Sequence, residues 1–307
     1  MRTTERIYGK SSRCLRLLAN DHTPRCDFII AARPDDVYTA IWNFLMDGSR
    51  DWDMVLLREL PADSRTSHEF TRRAAEGGTL SGHRQSTHSP FLPTTSEWNR
   101  YVESLPKKRR WSLRTWLKRL AALGDVLLET VTGEPNLRDA LEDGFRLEGT
   151  AWKEKAGTAI RSAPDVRRFY TLLAERAAAR GWLRLQFLRV GDRRIAFAYC
   201  LAFEQRMYLL KTGFDAQYAA YSPGTLLCYL ALQETFASGF VAYDFLGDDD
   251  QWKRRWATET ATHNWLFLYA SRPWSRLAHY AKFAIIPALQ QSPLYVRIRD
   301  RMFGSTT

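Results

Sequence analysis

Two aspartates close two predicted strands that flank one predicted helix. The strand-like run Met207–Thr212 leads into Asp215, and a second run, Val241–Phe245, contains Asp244. If both carboxylates faced one cleft, either could take a proton from an attacking amine or hydroxyl, or bind a substrate ammonium group. For Asp215 the structural alternative, capping of a strand end or helix start, stays equally open. We expect Asp244 to point inward, because aromatic residues flank it on both sides.

The turn Ser222-Pro223-Gly224-Thr225 lies between these strands and starts an apolar-periodic helix. Free amides at a helix N-terminus, together with the partial positive charge there, favour anions, so this turn is a candidate phosphate cradle. The same residues also make an ordinary helix start, with proline in the first turn and a hydroxyl cap. Lys253 follows the acidic turn at 248–250 and is a candidate to hold a phosphate or to pair with an aspartate; solvation at the surface is the commonest alternative.

Two tyrosines and a Trp-Lys pair complete the candidate site. Tyr218 and Tyr221 precede the turn and are candidate general acids, since a phenol can donate a proton to a departing thiolate. Packing against the helix start is the alternative for both. Trp152 and Lys153 are candidates to line an acceptor pocket, where the indole could stack on a sugar ring; a core position is the alternative for the tryptophan.

The sequence has no pattern typical of metal or nucleophile-triad chemistry. The three adjacent carboxylates at 248–250 cannot all converge on one ion, and none of the six histidines has HxxxH spacing. No Gly-x-Ser-x-Gly elbow, Walker loop or paired-cysteine motif occurs. We therefore expect no metal, and four cysteines in the reduced state.

Basic residues outnumber acidic ones, giving a net charge of +11 and a pI near 9.6 over 307 residues. Such a surface attracts a phosphorylated co-substrate, a nucleotide-sugar, an anionic membrane face or, less favoured here, RNA; solubility alone is the alternative. The polar N-terminus lacks an apolar signal core, and no apolar run approaches the about 18 residues needed to span a bilayer. We expect a cytoplasmic protein whose contact with the inner membrane is at most peripheral.

Apolar periodicity predicts an α/β chain with boundaries near residues 104 and 270. In residues 1–104 the pattern predicts three strands, at Cys14–Leu18, Asp27–Ala31 and Asp53–Leu57. It also predicts two helices, Asp35–Met46 and Ser64–Ala75, and a polar connection at His83–Thr95. Residues 105–270 begin with the basic amphipathic helix Lys107–Leu120. Strands and helices then alternate, with antiparallel early strands and a change of direction near the Pro-Gly turn. Residues 271–307 form a basic tail with a helical pattern.

Four segments, in this order, give the stretch from about 105 to 269 a family resemblance: Leu105-Pro-Lys-Lys-Arg-Arg; Trp152-Lys153 with Gly157-Thr158-Ala159-Ile160; Phe214-Asp215, Tyr218 and Tyr221-Ser-Pro-Gly; and Tyr243-Asp244-Phe245, Gly247, Lys253 and Trp256. This stretch resembles GNAT-superfamily acyltransferases of the CelD/BcsL type, which are related to the FemAB peptidyltransferases. The resemblance implies a GNAT-like mixed sheet flanked by helices, with a C-terminal acyltransferase domain behind a reduced or truncated GNAT-like half.

The resemblance also implies a reaction. It points to transfer of an acyl group, most simply acetyl, from acyl-CoA to an amine or hydroxyl of a sugar or of an envelope or exopolysaccharide precursor. Two alternatives stay open: a FemAB-like transferase that uses aminoacyl-tRNA, and a non-catalytic module of a polysaccharide-synthesis assembly. The acceptor is a small molecule or glycan precursor in the first case, and the sequence gives no oligomeric state.

The chain departs from the family pattern in two places. Ordinary GNAT proteins carry a glycine-rich pyrophosphate loop where this chain has Ser222–Thr225, so coenzyme A binding is implied by the resemblance and not by an intact loop motif. Relatives usually carry a complete GNAT-like domain before this one, whereas residues 1–104 look like part of one. We expect an in-frame coding segment upstream of Met1.

Overall fold

The computed structural model describes residues 1–20, 22–47, 51–149 and 160–291. Trp152 and Lys153, predicted to line an acceptor pocket, lie outside the described residues, as do residues 157–159 of the family resemblance and the tail beyond residue 291.

The described residues form ten strands and ten α-helices. The strands are β1 Arg2–Ile7, β2 Lys10–Arg16, β3 Met54–Pro61, β4 Leu80–Pro93, β5 Val126–Val131, β6 Leu183–Val190, β7 Arg193–Phe203, β8 Arg206–Phe214, β9 Ala242–Asp244 and β10 Glu259–Tyr269. The helices are α1 Pro34–Met46, α2 Arg65–Glu76, α3 Trp98–Ser104, α4 Lys107–Ala121, α5 Leu137–Glu148, α6 Pro164–Ala178, α7 Pro223–Ala237, α8 Gln251–Arg254, α9 Pro273–Tyr280 and α10 Ile286–Gln291. Short 3-10 helices span Ile160–Ser162 and Ala216–Tyr221, and a π-helical turn spans Ala281–Ile285.

The chain divides into two compact units, one of residues 1–88 with 261–307 and one of residues 89–260. Each unit is a mixed sheet with helices, so the predicted α/β class is confirmed. The domain boundaries predicted at 104 and 270 stay predictions.

The sheet of residues 89–260 has the strand order β4-β9-β8-β7-β6-β5. All neighbours in it are antiparallel except β8 and β9, which are parallel and joined through α7. The change of direction lies where the sequence predicted it, beside the Pro-Gly turn. β8 and β9 pair at three positions, the last being Tyr208 with Asp244, and β8 then runs on to Phe214.

Strand β7 separates two cores because its side chains alternate in size. On one face it presents small residues, Ala196, Ala198, Cys200 and Ala202, and these belong to the cluster that buries α7. On the other face Phe197 and Tyr199 join the cluster built from α5 and α6. Residues two apart on a strand share a face, so this alternation gives α7 a shallow surface on which to lie close to the sheet.

A buried polar network fixes α7 on that surface. Glu234 of α7 accepts hydrogen bonds from Gln186 Nε2 of β6 at 2.7 Å and from Thr130 Oγ1 of β5 at 3.1 Å. Gln186 is fully buried, and its amide oxygen accepts from Cys200 Sγ at 3.7 Å. Polar groups in a core must keep their partners, so the network resists rotation or sliding of the helix.

Residues 1–88 with 261–307 form a second mixed sheet. β1 pairs antiparallel with β2, β2 parallel with β3, and β3 antiparallel with β10. One face packs against α1 and α2 through a core that includes Tyr38, Leu60 and Phe70. The other face is covered near Phe283 of the π-helical turn, which packs against Phe267.

Two predictions for this unit were wrong. Residues 83–93 of the predicted polar connection are part of strand β4, where Ser86 and Thr87 hydrogen-bond to the carboxylate of Glu59. The predicted strand Asp27–Ala31 is irregular, because the Asp27 carboxylate accepts hydrogen bonds from Ser64 and Thr66 at the start of α2. Side-chain hydrogen bonds decide both cases, and hydropathy alone does not reveal them.

The approach of α5 to β8 gives a stability prediction. A Cβ at Gly213 would collide with the backbone of Leu147 and Glu148, which cannot rotate away. We expect Gly213→Ala to lower the free energy of unfolding by about 1–3 kcal/mol, as overpacking does. The matched control is Gly133→Ala, whose Cβ would lie 3.6 Å from Ala178 Cβ, an ordinary contact, and whose effect should stay within about 0.5 kcal/mol. Urea unfolding measures the stability of both variants. If Gly213→Ala were as stable as Gly133→Ala, the close packing of α5 on β8 would be contradicted.

Candidate active site

Asp244 lies at the carboxyl end of β9 and is 1 % exposed, so the expected inward orientation is what the structure has. Its Oδ1 accepts a hydrogen bond from the Leu246 backbone N–H at 2.9 Å. Strands on both sides hold the residue, since it pairs with Phe91 of β4 and Tyr208 of β8. A carboxylate held this firmly can act on a substrate only from a fixed position.

Asp215 has the capping role that was the structural alternative for it. It is the N-cap of the 3-10 helix Ala216–Tyr221, and its Oδ1 accepts from the Gln217 N–H at 2.9 Å. Asp244 pairs with Tyr208 of β8, whereas Asp215 follows the end of that strand, seven residues further along the chain. A strand rises about 3.3 Å per residue, so the two carboxylates are on the order of 20 Å apart along the strand direction. The structure does not bring them to one reacting atom.

The turn before α7 has an unusual backbone. Ser222 takes the left-handed conformation with φ +51°, which residues other than glycine adopt at a cost, and its side chain caps nothing. The amides of Thr225 and Leu226 both donate to the Ser222 carbonyl, at 3.0 and 3.1 Å. Pro223 has no N–H, so the amide of Gly224 is the first-turn donor left without an acceptor among the residues that the structure describes. The turn offers an anion one amide, not the several that the sequence suggested.

Two arginines stand beside the predicted tyrosines. The guanidinium of Arg119, from α4, lies 5.2 Å from the ring centroid of Tyr221. Arg193 Nη1, at the start of β7, donates to Tyr218 Oη at 3.5 Å. Sequence reasoning did not select either arginine for the site, because they are 74 residues apart in the chain and only the fold brings both to the start of α7. They supply the positive charge that a single amide would not.

Lys253 is engaged within the protein. It is 8 % exposed, and its ammonium donates to the carbonyls of Leu246 and Asp248, each at 2.8 Å, and pairs with Asp250 Oδ2 at 3.0 Å. The predicted pairing with an aspartate is therefore present. A lysine ammonium has three protons, so these contacts use them all and hold the turn after β9 closed. Contact with a phosphate stays a prediction, and it would have to displace one of these acceptors.

One cavity of about 790 Å³ lies in the unit of residues 1–88 with 261–307. It is lined by Ala62, Asp63, residues of α2 with its N-cap, His83 of β4 and Asn264 of β10, and by none of the predicted site residues. In the described ranges no three His, Cys, Asp or Glu side chains lie together as metal ligands would. Nor does any described helix have both the length and the apolar character needed to cross a bilayer.

Comparison with protein families gives a class for the second unit. Residues 107–254 match the model of the family described as "Acetyltransferase (GNAT) domain". This span contains β8, the Pro-Gly turn, α7 and β9. This span, just under half of the chain, is therefore similar to a GNAT acetyltransferase domain, and the GNAT-like fold that the resemblance implied is confirmed. No curated protein matches the chain.

Solved structures extend the fold similarity over most of the chain. FemX aligns with 88 % of this chain and 83 % of its own at 11 % identity and a TM-score of 0.56. A conserved protein of unknown function from Bacteroides thetaiotaomicron aligns over 76 % of each chain at 10 % identity and a TM-score of 0.51. A tandem GNAT protein from the clavulanic acid biosynthesis pathway covers 78 % of this chain and 72 % of its own, at 12 % identity and a TM-score of 0.41. The first two similarities, at these low identities, show the fold alone.

The contacts of Lys253 give a second stability prediction. Lys253→Met keeps the apolar stem but leaves the buried Leu246 carbonyl and the partly buried Asp248 carbonyl without their donor, and we expect a loss of about 1–3 kcal/mol in the free energy of unfolding. The control is Arg146→Gln in the same unit, which removes an exposed ion pair with Asp143 and should change stability by less than about 0.5 kcal/mol. Urea unfolding of both variants measures the difference. An unchanged free energy of unfolding in Lys253→Met would refute the role assigned to the ammonium.

Proposed function

We propose that residues 89–260 form an acyltransferase of the CelD/BcsL type that moves an acyl group, most simply acetyl, from acyl-CoA to an amine or hydroxyl. The observation that carries the proposal is the pair of parallel strands β8 and β9, which stop pairing at Tyr208 and Asp244 while β8 leads on to the start of α7. Beyond Tyr208, no strand among the described residues pairs with β8 on the side where β9 lies.

The separation along β8 suits an elongated co-substrate. Acyl-CoA has its phosphates at one end and its thioester at the other. The anionic end fits the start of α7, where the Gly224 amide lacks an acceptor and Arg119 and Arg193 supply charge. The hydroxyls of Ser222 and Thr225 lie in the same turn. The thioester end then lies toward Asp244, at the level where β8 and β9 still pair.

Asp244 is the residue that we assign to proton transfer. Its carboxylate takes the proton of the acceptor amine or hydroxyl as that atom bonds to the acyl carbon. Bound acyl-CoA supplies the activated thioester, and the thiolate released takes a proton from solvent. Tyr218 and Tyr221, predicted as general acids, lie at the anionic end, where they are better placed to contact a phosphate than to protonate the thiolate.

For the acceptor we propose a sugar or an envelope or exopolysaccharide precursor, and for the location the cytoplasm with peripheral contact to an anionic membrane face. The exposed side of α4 favours that contact. Lys107, Trp111, Arg114 and Lys118 follow at helical spacing, and the tryptophan is 66 % exposed between cations. A tryptophan with basic neighbours is typical of helices that lie on anionic lipid.

The FemAB-like alternative uses aminoacyl-tRNA as donor, and the same basic side of α4 would then face RNA. The alternative of a non-catalytic module draws support from the turn, which offers one unsatisfied amide where a glycine-rich loop would offer several. Donor binding separates these alternatives from the leading proposal.

Thermal unfolding with acetyl-CoA tests the donor. At about 100 times its dissociation constant the ligand should stabilise the native protein by roughly 2.7 kcal/mol. We expect Gly224→Trp to abolish the shift by filling the turn. Gly224→Ala should keep it, because its Cβ would lie 3.4 Å from Phe214, an ordinary contact. If wild type shows no shift at millimolar acetyl-CoA, the donor assignment fails, and salt-dependent RNA binding then separates the aminoacyl-tRNA alternative from the non-catalytic one.

Substitution of Asp244 tests the chemistry. Asp244→Asn keeps the Oδ1 that accepts from Leu246, so the protein should fold and melt as wild type does. Turnover should fall by at least about 100-fold, the contribution typical of a positioned base. Asp248→Asn, an exposed aspartate whose backbone alone contacts Lys253, is the control and should stay active. Full activity in Asp244→Asn would overturn the assignment.

A further inference from the structure

The pairing of β3 with β10 is interrupted opposite Trp265. Leu60 pairs with Asn264 and Leu57 with Leu266, so Arg58 and Glu59 together oppose the single residue Trp265. Glu59 takes the left-handed conformation with φ +51°, which carries a steric cost for a residue with a Cβ. This is a β-bulge, an irregularity that redirects side chains and occurs often beside functional sites.

Both residues of the bulge contact the same indole. Glu59 Oε1 accepts from Trp265 Nε1 at 2.7 Å, and the Arg58 guanidinium carbon lies 4.3 Å from the indole centroid. Arg84, from β4, brings a second guanidinium to 5.7 Å from that centroid. Two cations therefore surround one partly exposed aromatic side chain.

A third cation lies on the next aromatic residue of the same strand face. The Lys282 ammonium is 4.5 Å from the ring centroid of Phe267, whose ring is 6.3 Å from that of Trp265. The pKa of Lys282 lies below its ordinary value, first because burial disfavours the ammonium and second because the charge of Arg84 repels it. The repulsion follows from the short distance between the Arg84 and Lys282 charges.

The cluster lacks compensating charge. None of the three cations forms an ion pair with another residue of the described ranges, and Arg58 Nε is buried without a hydrogen-bond acceptor. Glu59 is the carboxylate that contacts Trp265, and its oxygens accept hydrogen bonds from Trp265, Ser86 and Thr87. Partly buried positive charge without a partner costs free energy that a bound anion would recover.

We propose that Arg58, Arg84 and Lys282 form a binding site for a phosphate group of a small phosphorylated ligand. Three cations against one carboxylate leave two positive charges, which match a phosphate dianion better than a single carboxylate. Guanidinium forks and an ammonium are also the donors that phosphate oxygens take most readily. The site lies wholly within residues 1–88 with 261–307 and does not depend on the proposed acyl transfer.

The indole N–H of Trp265 provides a local readout. Protein labelled with ¹⁵N in its 11 tryptophans is titrated with inorganic phosphate at pH 7.5 and constant ionic strength. Trp265→Phe identifies the signal of Trp265, and the ten other signals report whether that variant is folded. We expect a saturable shift of the Trp265 signal.

Variants then assign the charges. Arg84→Gln, at an exposed position, and Lys282→Gln should each raise the dissociation constant for phosphate about tenfold, as expected for loss of a charged hydrogen bond. Lys10→Gln is the matched control, because Lys10 lies 5.2 Å from the ring of another tryptophan, Trp274, in the same unit. It should leave the constant unchanged.

Three results would overturn the proposal. They are the absence of a saturable Trp265 shift, an equal loss of affinity in Lys10→Gln, which would indicate a general charge effect, and equal binding of acetate, which would remove the preference for a dianion.

Discussion

The packing of α7 against the small side chains of β7 is the contact on which residues 89–260 depend. An apolar helix can lie this close to a sheet only where the strand beneath it offers alanine and cysteine instead of larger residues. The bulky residues of β7 are used on the opposite face, under α5 and α6. The depth of α7 then sets the positions of the two strands that it connects, β8 before it and β9 after it.

That depth has a chemical consequence because β8 and β9 are parallel. Their carboxyl ends lie at the same edge of the sheet, which is where ligands bind in open α/β folds. The strands differ in length, so the edge is stepped: Asp244 ends the short strand, and the longer strand carries the chain on to Ser222 and α7. In the proposed function, this difference in length separates the two ends of an extended co-substrate, one at Asp244 and the other at the start of α7.

Much of this arrangement could be predicted from the sequence, and the reasons are physical. The strand, turn, helix and strand around Ser222 have strong periodicities and a Pro-Gly signal, so their order was predicted correctly. Strand register leaves no comparable trace, which is why Asp215 and Asp244 were predicted to share a cleft although pairing at Tyr208 separates them. Arg119 and Arg193 could not be selected because neighbours in space need not be neighbours in sequence. In the other unit, strand β4 was predicted as a polar connection because many of its residues are polar. One of them, Ser86, donates a hydrogen bond to Glu59.

The cysteines show what the core does to reactive groups. All four are free and buried. Burial raises the pKa of Cys14 to about 11 and that of Cys200 to about 12, and it also raises those of Cys26 and Cys228. Thiolates are the nucleophilic form, so burial and these raised pKa values make the four thiols poor competitors for a thioester and slow to react with a disulfide reagent. If the proposed acyl transfer takes place, the free coenzyme A that it releases can be measured colorimetrically with such a reagent, and a rising background in that assay reports loss of the native fold.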